Sequence, residues 1–136
     1  MKILVTGAAG LLGSHLSEKL SEMNHEVVGV DNMIGGYSDN VPKSIKFYNF
    51  DCCNLKKMNE IMKKVDVVYH CAATAHEGLS VFSPYEIGKN NFLASSSVFS
   101  SAISNKVKRI IFCSSMARYG SQKTPFTEDM NPKPVD

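Results

Sequence analysis

The run Val5-Thr6-Gly7-Ala8-Ala9-Gly10-Leu11-Leu12-Gly13 joins a short apolar stretch to a helical pattern through glycines at i, i+3 and i+6. Residues 2–6 read as a buried strand, and Leu11, Leu12, His15, Leu16 and Leu20 recur at helical spacing. Residues 7–10 must therefore reverse the chain between the two. Each glycine then has a mechanical task. Gly7 permits the tight turn, Gly10 lets a pyrophosphate approach the backbone, and Gly13 lets the helix close on the strand. Free N–H groups and the positive dipole end at the helix N-terminus suit phosphate oxygens.

The G-x-x-G-x-x-G spacing departs from the usual G-x-G-x-x-G, and a glycine-rich turn that binds nothing has the same composition. A second apolar run adds context. Val27, Val28, Gly29 and Val30 lead into Asp31, 18 residues beyond Gly13. That is about where an acid meets the adenosine ribose 2′-hydroxyl in dinucleotide sites.

With 136 residues the chain is long enough for one domain with its own core, and 43% hydrophobic with 21% charged residues is an ordinary globular balance. A net charge of +2 with scattered lysines argues against nucleic-acid or membrane-surface binding. Gly7, Gly10 and Gly13 interrupt the N-terminal apolar stretch and Glu18 and Lys19 follow, against a secretory signal. No apolar run approaches the roughly 20 residues of a membrane span. The cysteines, Cys52, Cys53, Cys71 and Cys113, form no C-x-x-C pair and have no histidines at zinc-finger spacing, so no metal is expected. Cys71 and Cys113 end strand-like runs, where a thiol acts as a small core hydrophobe, and adjacent Cys52 and Cys53 do not readily bridge each other. Reduced thiols and a cytoplasmic setting are the expectation.

Strand and helix then alternate. Residues 32–43, with Gly35, Gly36, Ser38, Asp39, Asn40 and Pro42, form a loop by composition. Residues 45–50 are strand-like. A helix is expected over 55–64, with Leu55, Met58, Ile61 and Met62 as its stripe and Asn54 as N-cap. Residues 66–71 form a buried strand, and 72–82 are small and polar. Pro84 suits the first turn of a long helix reaching about Ser104, whose Ser95, Ser96, Ser97, Ser100 and Ser101 allow close packing, on the sheet or on a neighbouring subunit. Residues 108–114 supply a fifth strand, and beyond Gly120 an extended tail carries Pro125, Pro132 and Pro134.

This alternation predicts an α/β fold with a doubly wound parallel sheet, since a parallel crossover needs a covering helix. Ligands bind such sheets at the carboxyl ends of the strands. The candidates there are the glycine turn, Asp31, Asp51, Ala72 with Ala73, and Ser114 with Ser115.

Taken together, T-G-A-A-G-L-L-G-S-H-L, Asp31-Asn32, Asp51-Cys52, His70-Cys71-Ala72-Ala73, Asn90-Asn91 and Cys113-Ser114-Ser115-Met116-Ala117-Arg118-Tyr119-Gly120 carry a family likeness. The chain resembles the N-terminal part of an extended short-chain dehydrogenase/reductase, specifically a nucleotide-sugar epimerase or dehydratase of the UDP-glucose 4-epimerase type. The resemblance implies a Rossmann-like domain over 1–120 that binds NAD, with 121–136 a tail leading toward a missing catalytic and substrate-binding region.

By the same likeness Leu11 and Leu12 offer backbone contacts to the pyrophosphate, and Asp31 with Asn32 holds the adenosine ribose. A carboxylate at Asp31 repels a 2′-phosphate, and no Lys or Arg lies between Asn32 and Val41 to welcome one, so NAD is expected over NADP. Asp51 and Cys52 would line the adenine; Asp51 could instead cap the following helix. Cys71, Ala72 and Ala73 would run beneath the cofactor, with Ser114 beside it. Of the paired asparagines, Asn90 is assigned to the cofactor and Asn91 to structure.

Ser115 resembles the family's catalytic serine, which hydrogen-bonds the sugar 4-hydroxyl while a tyrosine, tuned by a lysine and the NAD charge, removes its proton. Hydride then passes from C4 to the nicotinamide and returns on the other face. The family's Tyr-x-x-x-Lys pair is absent as such. Tyr119 and Lys123 have its spacing but lie in a glycine-bearing loop. The tail resembles what precedes the family tyrosine, which implies a fragment that binds NAD without turnover.

Three readings follow: the cofactor half of an epimerase, that of a sugar-nucleotide dehydratase or reductase, or a non-catalytic dinucleotide-binding module. Met116-Ala117 replaces the Asp-Glu pair that such dehydratases place after the catalytic residue, which disfavours the second. A homodimer through residues 84–104 is a further expectation. The loop from Thr74 to Ser83, with His76 and Glu77, faces either substrate or solvent.

Overall fold

The computed structural model describes residues 1–135, and the side chain of Glu77 is outside that description. Five strands, β1 Lys2–Thr6, β2 Glu26–Asp31, β3 Lys46–Asn49, β4 Val67–His70 and β5 Arg109–Phe112, form one sheet in the order β3-β2-β1-β4-β5. Every pairing is parallel. The fold is therefore the expected doubly wound α/β domain. The chain works outward from β1 to β3, then returns across β1 to start β4. This reversal leaves a crevice between the carboxyl ends of β1 and β4.

Side-chain alternation along β1 divides the core. Ile3 and Val5 pack with Leu20 of α1 (Leu11–Glu22), Ala8 and Val27 on one face. Leu4 packs on the other with Val28, Val68, Met58 of α2 (Leu55–Ile61), and Val98 and Ala102 of α5 (Ala94–Ser104). Each fully buried Leu, Ile or Val contributes about 1.5–3 kcal/mol relative to exposure.

Helix ends set the spacing of this scaffold. Asn24 and Lys106 adopt positive φ, and the next amides, His25 and Val107, donate back to Leu20 and Ala102, turning each helix into the following strand. Asn54 Oδ1 accepts from the Lys57 amide, the expected N-cap of α2, which ends at Ile61, earlier than the periodicity predicts. Between residues 72 and 82, read as small and polar, a short helix, α3 (Glu77–Phe82), forms. The long helix opened by Pro84 begins as α4 (Pro84–Ile87), widens into a π-helical segment over Gly88–Leu93, and tightens into α5. In α5, Ser97 and Ser101 are buried within the molecule. Past Gly120 the described tail holds no strand or helix and folds back, with the Lys133 amide donating to the Arg118 carbonyl.

Candidate functional site: a glycine-lipped cleft at the strand ends

Gly7 has φ +71°, and a Cβ there would lie 2.9 Å from the Ala72 nitrogen, so the loops after β1 and β4 pass backbone against backbone. A Cβ on Gly13 would stand 2.0 Å from the Gly7 carbonyl oxygen. No side chain fits there, and the first turn of α1 closes directly onto the glycine turn. Gly10 caps α1 without a side-chain hydrogen bond, and the first turn carries no acidic residue. The amides at its start lack intrahelical partners and the dipole is uncompensated.

Beyond this turn lies a cavity of about 540 Å³, within the range of cofactor sites. Gly7 and Gly10 line it from β1, Asp31 and Asn32 from β2, and Asp51 and Cys52 from β3. Cys71, Ala72 and Ala73 line it after β4, and Asn90 faces it from the π-helical segment. His76 of the questioned loop also lines it. Leu11, Leu12, Gly13, Ser114 and Ser115 do not form its wall. Leu11 and Leu12 project outward, 79% and 57% exposed, so their backbone is what remains near the turn.

The Asp31 carboxylate is oriented from both sides. Oδ2 accepts the Ala9 amide at 3.0 Å and Oδ1 the Met33 amide at 2.8 Å. Each oxygen retains a lone pair for a hydroxyl donor. Ala9 is also the anchor of the following loop, since its carbonyl accepts from the Tyr37 amide and from Asn40 Nδ2. Gly36 is there because a Cβ would be 2.6 Å from that of Ala9.

Asp51 does not cap α2, since Asn54 does. Its Oδ1 accepts the Cys53 amide at 2.8 Å, and Lys89 Nζ lies 3.6 Å from Oδ2. Burial pushes this carboxyl up, but the Cys53 amide and the Lys89 ammonium outweigh it and hold it below its ordinary range. Lys89 belongs to no motif in the sequence; it reaches Asp51 from the π-helical segment.

A polar chain runs through the protein beneath the cleft. His70 is buried, and burial pushes its imidazole down to about 4, leaving it neutral. Its Nε2 is 2.9 Å from Ser95 Oγ and its Nδ1 2.6 Å from Thr6 Oγ1. Ser95 spends its hydroxyl proton on the Asn91 carbonyl, so it must accept from Nε2–H, which leaves Nδ1 to accept from Thr6. Thr6 Oγ1 in turn accepts the Ala72 amide. Asn91 then grips Thr74 with both ends of its amide, Oδ1 on the Thr74 nitrogen and Nδ2 on its carbonyl. Asn90 donates to Thr74 Oγ1, but its buried Oδ1 has no partner. An orphaned acceptor on the wall of a cleft suits a ligand donor. Thr6 and His70 were also missed as a pair; the signal was a polar residue ending each of two apolar strands.

Ser115 lies on the exposed rim after β5, where its Oγ accepts the Ala117 amide and caps a 3-10 turn over Met116–Tyr119. Tyr119 stacks on Phe126 at 5.0 Å and carries the Arg118 guanidinium over its ring. The Tyr119 and Lys123 spacing is thus part of a turn and no helical pair forms.

These features define a dinucleotide-binding α/β domain: glycine turn at the switch point, acid after the second strand, one cleft across the strand ends. The sequence model of the NAD dependent epimerase/dehydratase family matches residues 3–136, and the chain belongs to that family. It is 33% identical to a UDP-glucose 4-epimerase of Lactobacillus helveticus, over 100% of this chain and 42% of the relative. It is 32% identical to a UDP-N-acetyl-alpha-D-glucosaminuronate decarboxylase of Bacillus cytotoxicus, over 94% of this chain and 40% of the relative. Its structure is similar to that of a UDP-glucose 4-epimerase with UDP-glucose from Thermotoga maritima, with a TM-score of 0.92 at 34% identity over 99% of this chain and 45% of the other. The chain thus spans about two fifths of the length of these curated relatives. No helix among the described residues is long and apolar enough to cross a membrane.

Proposed function

We propose that this chain is the NAD-binding part of a nucleotide-sugar epimerase, with residues 1–120 forming the cofactor domain and 121–136 leading toward the catalytic pair and sugar-binding region. The observation that carries this reading is Asp31, held by the Ala9 and Met33 amides at the mouth of the cleft that the glycine turn opens. Its carboxylate accepts the ribose hydroxyls and disfavours a 2′-phosphate. The cleft fits the cofactor in other respects: Gly7 and Gly10 line it without side chains, Ala72 and Ala73 line it after β4, and Asn90 Oδ1 awaits a donor. Asp51 accepts the adenine amine beside Lys89.

NAD, when bound, supplies the redox chemistry by taking a hydride from the sugar and returning it. Ser115 orients the sugar hydroxyl from the rim, its place outside the cofactor cavity agreeing with a substrate-side task. A UDP-linked sugar is the substrate class, because similar proteins are named for UDP-sugars. Those two names differ in reaction, so this half serves more than one outcome, and a dehydratase or reductase half is the second reading; Met116-Ala117 weighs against a dehydratase. A reducing, cytoplasmic setting suits four free thiols. Phe92 and Ile103, 76% exposed each on the long helical segment, suit the face of a homodimer.

Calorimetric titration with NAD and NADP tests the assignment. NAD should bind at least about tenfold more tightly, and Asp31→Ala should weaken NAD about 10- to 100-fold while erasing the preference. Equal affinity for the two nucleotides would overturn the cofactor assignment, and failure to bind either would overturn the site.

A further inference from the structure

We propose that Cys71 and Cys113 form a dithiol site that a hydroperoxide oxidises to an intramolecular disulfide, joining the ends of β4 and β5 at the floor of the cleft. The pairing follows from register. Tyr69 faces Ile111 and His70 faces Phe112, so Cys71 and Cys113 form the next rung. The Cys113 amide donates to the His70 carbonyl at 3.2 Å and the Cys71 amide to the Thr6 carbonyl at 3.3 Å, extending the backbone pairing one residue past the ends of β4 and β5. Neighbouring strands run about 4.8 Å apart, inside the Cα range that disulfides span, and residues on one rung project to the same face. The two Sγ atoms are 3.6 Å apart and hydrogen-bonded.

Access and chemistry agree with this. Both residues are free thiols and half-buried, and Cys71 lines the cavity, which admits a small peroxide. Cys71, its thiol pushed up by burial and the Cys113 contact, serves as the second sulfur, and the first attack falls to Cys113, half-buried between exposed Phe112 and Ser114. Its thiolate takes one peroxide oxygen as the O–O bond breaks, giving a sulfenic acid and releasing water or an alcohol. The Cys71 sulfur then attacks that sulfur, the S–S bond forms, and the hydroxide leaves with the Cys71 proton as water. The two thiols lose two electrons and the peroxide gains them. Cys52 and Cys53, adjacent in sequence, lack this geometry: Cys52 is buried, and the Cys53 thiol donates to the Lys89 carbonyl.

The site does not rest on nucleotide binding, and its test reads mass. The reduced 136-residue chain is treated with equimolar hydrogen peroxide. The expected result is a loss of about 2 Da, a Cys71–Cys113 linked peptide in a non-reducing digest, and an unfolding midpoint raised by about 5 °C that dithiothreitol restores. Cys71→Ser should instead leave Cys113 as a sulfenic acid that dimedone traps. Oxygen addition to either cysteine of the unaltered chain without a cross-link, or a link between another pair, overturns the proposal, and this readout needs no variant to fold.

Discussion

His70 Nε2 donates to Ser95 Oγ across 2.9 Å, tying the centre of the sheet to the helix that covers it. The imidazole is neutral because burial holds it at about 4, below its ordinary value of 6.5. The unfolded chain therefore binds a proton that the folded chain refuses. The stability from this group is complete above about pH 6.5 and is lost as pH falls toward 4, by about 3 kcal/mol in all. Urea unfolding at pH 7.5 and pH 5 should show the decline, and His70→Gln should flatten it while lowering stability at both.

Gly13→Ala should destabilise the chain by more than about 3 kcal/mol, because its methyl would meet the Gly7 carbonyl oxygen with only backbone to move. Thermal unfolding followed by circular dichroism measures this. Gly35→Ala, with nothing within 4 Å of the added carbon, is the control expected to stay within about 1 kcal/mol.

Lys89 and Asp51 are each about one-third exposed, so their ion pair is weakened by solvent. Lys89→Met should leave the unfolding midpoint almost unchanged, and NMR titration of the Asp51 carboxyl should show it moving upward as the ammonium is lost.

Ser115→Ala should remove the cap on the turn at Met116–Tyr119, costing about 1 kcal/mol. NAD affinity by calorimetry should stay within about twofold, because the hydroxyl lies outside the cavity wall. Where a longer form of the chain turns over a nucleotide sugar, the same change should abolish that turnover.

The alternation of strands and helices, the glycine turn and the acid after β2 were all legible in the sequence, because each is a local pattern: a period, a backbone requirement, a spacing. Those patterns place Gly7, Asp31, Asp51 and Ala72 at strand ends, and a parallel sheet brings strand ends together whatever their sequence separation. Tertiary structure alone decided what depends on register and helix rotation. The meeting of Cys71 with Cys113 needs β4 and β5 aligned to the residue. Lys89 reaches Asp51 only once its helical segment is docked beside β3, and the run from Thr6 through His70 and Ser95 to Asn91 needs α5 seated over β4 at one rotation. Apart from the Ser95 bond to the Asn91 carbonyl one helical turn back, these contacts join residues tens of positions apart, and no short-range preference encodes them. The chain through His70 forms because the buried imidazole and the buried Thr6 hydroxyl have no water to bond and must find partners within the protein.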